Sequence, residues 1–129
     1  MSDKKYNEEM YAYRDIPESP IILDFSKCDG WYDIHKMLSY KFGMPIATGT
    51  NWDAFWDFAR DTFDGREENY FIEIHNFYSM TEEYQDYCKP MLNIFERIQK
   101  ENSNVFFAYI SEKVKKYYKK GCNFVTFLL

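Results

Sequence analysis

A chain of 129 residues, 46% hydrophobic and 21% aromatic, has the length and apolar content of one domain with its own core. Its 21 acidic against 16 basic residues leave a formal net charge of −5, which disfavours direct contact with nucleic-acid phosphates and favours a basic protein partner. No stretch approaches the roughly 18 apolar residues of a membrane span, so no membrane partner is expected. The polar start, with no apolar h-region, predicts no signal peptide. Cys28, Cys88 and Cys122 show no C-x-x-C spacing and read as reduced thiols of a cytoplasmic protein.

Residues 1–20 are polar, with Pro17 and Pro20 near their end, and read as a loose N-terminal arm. Residues 21–129 read as a single domain. Ile21 to Phe25 is a short apolar run suited to a buried strand. Residues 31–42 carry Ile34, Met37, Leu38 and Phe42 at helical spacing, and Gly43 and Pro45 stop that helix. A loop over 45–50 leads to a second helix over 51–63, capped by Thr50 or Asn51. Tyr70 to Ile74 is a second strand. A long helix from Thr81 to about Glu101 is expected to break near Pro90. Residues 105–110 form a third strand. The lysine-rich segment 111–120 reads as a short helix, and FVTFLL at 124–129 as a last strand. Strands alternating with helices predict an α/β fold of two or three layers, with a small parallel sheet of three or four strands flanked by helices.

On a helical wheel of residues 51–63, Trp52, Phe55, Ala59, Thr62 and Phe63 share one broad side. Asp53, Asp57, Arg60 and Asp64 gather opposite them, Trp56 lies at the border, and Phe58 falls off the main stripe. Geometry alone makes this an ordinary amphipathic helix, with Asp53 favoured in the first turn by the helix dipole and Asp57 and Asp61 pairing loosely with Arg60. A large aromatic beside an acidic patch is also the composition of a binding hot spot.

The ordered run Asp33-Ile34-His35, Leu38, Phe42, Met44-Pro45, Gly49, Asn51, Asp53-Ala54 and Trp56-Asp57 resembles the barstar family, inhibitors of the ribonuclease barnase. The family pattern runs Asp-Leu-His, a helix, Leu-x-Leu-Pro, a loop with Gly, then Asn-x-Asp-Ala-x-Trp-Asp. It fits from Asp33 to Asp57 without a gap, and the layout extends the likeness over about residues 21–110. The resemblance implies a three-stranded parallel sheet with packed helices, whose second helix enters a nuclease active site. Asp57 would stand in for a substrate phosphate, Asp53 would bond in the same pocket, Trp56 would pack at the interface, and Gly49 and Asn51 would shape the loop. Arg60 and Arg97 join the expected partner-binding set. The partner implied is a basic ribonuclease, and the chain would act as an immunity protein or antitoxin rather than as an enzyme.

Three departures stand out. Ala47 and Thr48 replace two tyrosines of the family loop, Arg97 stands near a family glutamate, and the chain continues past residue 110. Its ending, KKGCNFVTFLL, itself resembles the family's usual ending, so either 105–110 or 124–129 is expected as the family's last strand. These changes also admit an interaction module with a non-nuclease partner. Asp33 and His35 form no nucleophile motif, and the histidines and cysteines lack metal-ligand spacing. No catalytic residue, metal or cofactor is expected. A hydrolase using Asp53 and Asp57 fits poorly, since such pairs usually come from two elements flanking a cleft.

Overall fold

The computed structural model describes residues 13–45 and 50–110, and the backbone alone of 114–118 and 124–128. In chain order the elements are β1 (Ile21–Asp24), α1 (Trp31–Lys41), α2 (Trp52–Phe63), β2 (Tyr70–His75), α3 (Glu82–Tyr87), α4 (Lys89–Glu101), β3 (Val105–Ile110), β4 (Val114–Tyr118) and β5 (Phe124–Leu128).

β1, β2 and β3 run parallel, with Ile21 opposite Ile72 and Ile72 opposite Phe107. This is the expected three-stranded parallel sheet. β4 and β5 extend it antiparallel to five strands. The expected helix over 111–120 is therefore corrected, because Val114–Tyr118 is a strand. The free edge of β3 offers a hydrogen-bonding ladder, and valine and tyrosine suit a pleated surface, so tertiary pairing outweighs the helical reading of the lysines. The same pairing makes Val105–Ile110 the third parallel strand, while Phe124–Leu128 pairs with β4.

Period-two burial orients the sheet. Tyr70, Ile72 and Ile74 of β2 are buried beneath the helices, whereas Phe71 on the other face is 44% exposed and stacks on Phe106. Helical spacing buries Ile34 and Leu38 of α1 and Met91, Ile94, Phe95 and Ile98 of α4. The expected break falls at Cys88, and Pro90 sits in the first turn of α4, where a missing N–H leaves no intrahelical bond unmade. Phe42 packs its ring against Phe55, Phe63 and Phe95, and Phe95 stacks on Phe107 with centroids 4.3 Å apart. This aromatic cluster seats α2 and α4 side by side on the sheet and turns the outer face of α2 toward solvent.

Residues 1–12 of the expected loose arm lie outside the described residues, whereas residues 13–20 are tied to the domain. The Arg14 N–H donates to the Gly43 carbonyl at 2.8 Å, and its guanidinium donates to the Met44 carbonyl at 3.1 Å. Ile16 packs against the core, Glu18 pairs with Lys41, and the Tyr13 ring covers Phe58. Gly43 makes this strap possible. It holds a positive φ of 64°, and a Cβ there would run into the Arg14 carbonyl oxygen.

Candidate protein-binding face

The first turn of α2 is fixed from both directions. Asn51, in extended backbone, caps the helix by accepting the Ala54 N–H on its Oδ1 at 2.8 Å. Trp52 turns inward, and its Nε1–H donates to the Tyr87 carbonyl at 2.9 Å. Its ring lies 4.4 Å from that of His35 and 5.2 Å from that of Tyr87. His35 is buried, with Nε2 at 2.6 Å from the Tyr87 hydroxyl. Burial lowers the His35 pKa below its ordinary value. This junction ties the start of α2 to α1 and to the end of α3.

Phe55, Ala59, Thr62 and Phe63 continue the buried side of α2. The opposite side exposes Asp53, Asp57, Arg60 and Asp61, with Trp56 half-buried at the border. Arg97 reaches over from α4 and lays its guanidinium carbon 4.0 Å from the centre of the Trp56 ring, with that of Arg60 at 5.6 Å. Arg60 also approaches Asp57 at 3.7 Å and Asp61 at 3.9 Å. The Asp57 side chain is 67% exposed. Tyr13 donates its hydroxyl to Asp61 at 3.3 Å. Burial, reinforced by the Asp61 carboxylate beside it, pushes the Tyr13 hydroxyl up to about 12.

The structure thus gathers Trp56, Asp57, Arg60 and Arg97 in one cluster, with Asn51 and Asp53 at the start of the same helix. Gly49, with Ala47 and Thr48, lies outside the described residues. Tyr13 is the member that sequence reasoning missed. Phe58, apolar but off the main stripe, was the local signal that something covers this flank.

The remaining titratable groups do other work. Asp33 accepts the Asp29 N–H at 2.9 Å, while His35 faces Tyr87, so the two form no dyad. Glu73 accepts from or pairs with His75 at 2.8 Å on the open face of the sheet. Among the described residues no group of three or more His, Cys, Asp or Glu is placed to hold a metal, and no helix is long and apolar enough to cross a membrane.

A small α/β domain that holds one helix rigidly and displays carboxylates, guanidinium groups and an indole on its outer side has the attributes of a protein-recognition module. The family comparison agrees. The family model described as Barstar (barnase inhibitor) matches residues 19–112, more than half of the chain, and the chain belongs to the barstar family. At the level of the family this gives a barnase-inhibitor-like role with a protein partner, and the family's members are inhibitors rather than enzymes. Comparison with curated proteins and with solved structures finds no match.

Proposed function

We propose that this chain inhibits a ribonuclease by presenting the outer face of α2 to a cationic active site and blocking substrate access. One observation carries the reading: Asp57 stands exposed beside half-buried Trp56, in the middle of a helix capped by Asn51 and held by Trp52. A pocket that binds phosphate is cationic, and a carboxylate on a pre-arranged helix complements it at little ordering cost. Asp53 and Asn51 lie near the loop end of the same face. The chain would serve as an immunity protein or antitoxin in the cytoplasm. Burial holds the thiols of Cys28 and Cys88 up at about 11 and about 12.

The test is titration of the full chain against purified basic ribonucleases of the barnase type, reading both binding and loss of RNA cleavage. Asp57→Ala is expected to weaken binding by more than about 2 kcal/mol, the general hot-spot threshold, for which the barnase–barstar complex is itself a standard example. Its thermal midpoint should stay within a degree or two of wild type, as for an exposed surface change of about 0.5 kcal/mol or less. Equal binding by Asp57→Ala and wild type would exclude this mechanism.

A second reading, a barstar-fold module for a non-nuclease partner, is favoured by Arg97, a cation stacked on Trp56 at the edge of the face. A purified complex with a protein that cleaves no RNA would establish it.

A further inference from the structure

Whatever covers Trp56 must also cover Arg97. The guanidinium lies 4.0 Å from the ring centre, so a target seated on the indole strips water from both. Among the described residues Arg97 makes no ion pair. Arg60 engages Asp57 and Asp61, and Glu96, the acidic neighbour of Arg97 on α4, pairs with Lys100 at 3.4 Å. A guanidinium stacked on an aromatic face keeps its N–H donors for acceptors in its own plane, and a carboxylate is the acceptor that matches that fork. A guanidinium buried without such a partner destabilises the complex. The face is therefore of mixed sign. Asp53, Asp57 and Asp61 stand against Arg60 and Arg97, and a uniformly cationic surface would meet repulsion at one side of Trp56.

We infer that the target of this chain presents a carboxylate to Arg97, beside the cationic pocket that receives Asp57. Arg97 is then a specificity-determining residue. It favours a ribonuclease whose active-site rim is of mixed sign over one whose rim is basic throughout, which it binds more weakly. The inference rests on the reading of α2 as the inhibitory helix and adds the chemistry of the surface that helix meets.

A charge swap tests it. The full chain, Arg97→Glu and Arg97→Gln are titrated calorimetrically against two probes. The first is a basic barnase-type ribonuclease with an all-cationic rim. The second is the same enzyme with one rim cation replaced by Glu, chosen as the cation nearest Arg97 when Asp57 is seated in the phosphate pocket. On the cationic rim Arg97→Glu is expected to bind at least about tenfold tighter than wild type, with Arg97→Gln between them; on the Glu-bearing rim the order reverses. Matched thermal midpoints confirm that all three chains are folded. The same ranking on both rims, or wild type binding best on the cationic one, overturns the inference. Adding Asp57→Ala separates the two readings. If the charge swap holds while Asp57→Ala changes nothing, the phosphate-mimic role fails and Arg97 stands. If no variant binds either probe, both fail.

Discussion

Trp52 and Trp56 stand one turn apart on α2, and their surroundings are opposite. Trp52 donates its indole N–H to a backbone carbonyl and packs on His35 and Tyr87. Trp56 lies half-buried under two guanidinium groups at the edge of the exposed side. The first makes the helix rigid and the second gives it something to present. The comparison teaches that a recognition helix needs both: the wheel already sets Trp52 on the buried side and Trp56 at the border, and contacts from α1, α3 and α4 give each indole its role. Trp52→Ala should therefore cost about 3–5 kcal/mol of stability, as for a large aromatic removed from a packed site, measured by urea unfolding. Trp56→Ala should cost clearly less stability while weakening target binding. The assignment is inverted if Trp56→Ala proves the more destabilising of the two.

The inner junction should also respond to acid, through His35. Burial lowers the His35 pKa below its unfolded value of 6.5, so the unfolded chain binds this proton more readily than the folded one. Stability then rises with pH. Its full contribution is present above about 6.5 and is lost progressively as pH falls from there toward the folded-state value. Unfolding free energies measured between pH 7.5 and 5 should decline for wild type and decline less for His35→Phe, which removes the titrating ring. Parallel pH profiles for the two chains would show that other groups govern the slope.

The same contrast explains how much was legible in the sequence. Periodicity located β1 to β3, α1, α2 and the break before α4 within a residue or so of their ends, because those elements bury one regular stripe or alternate face. The wheel of residues 51–63 separated Phe55, Ala59 and Phe63 from Asp53, Asp57 and Arg60 for that reason. Contacts between distant segments were not legible. Nothing local in Tyr13 or Arg14 reveals that they strap α2 and Gly43, and lysine-rich Val114–Tyr118 becomes a strand through an edge that β3 supplies. The stacking of Arg97 on Trp56 spans two helices and follows from the seating of α2 against α4.

A smaller effect is expected at the cap, where rigidity and presentation meet. Asn51 satisfies the Ala54 N–H, one of the donors that a helix start otherwise leaves to water. Asn51→Ala should lower stability by about 1 kcal/mol, again by urea unfolding. Because the first turn also carries Asp53, the loss should extend to target binding. Asn51→Asp, which keeps an accepting oxygen, should recover most of the stability.

The smallest effect on stability belongs to Arg60, and its sign in binding is the sharper test. Its approaches to Asp57 and Asp61 are long, 3.7 and 3.9 Å, between side chains at least half exposed. Such pairs add less than about 1 kcal/mol and often nothing measurable, so Arg60→Ala should leave the unfolding free energy within about 0.5 kcal/mol of wild type. In binding, however, Arg60 competes with the target for Asp57. If Asp57 enters a cationic pocket, removing its internal partner frees the carboxylate, and Arg60→Ala should bind a basic ribonuclease as tightly as wild type or up to a few-fold tighter, with a steeper loss of affinity as salt is added. A marked loss of binding on Arg60→Ala would mean that Arg60 itself meets an acidic group on the target, and that the presented face is read through its cations rather than through Asp57.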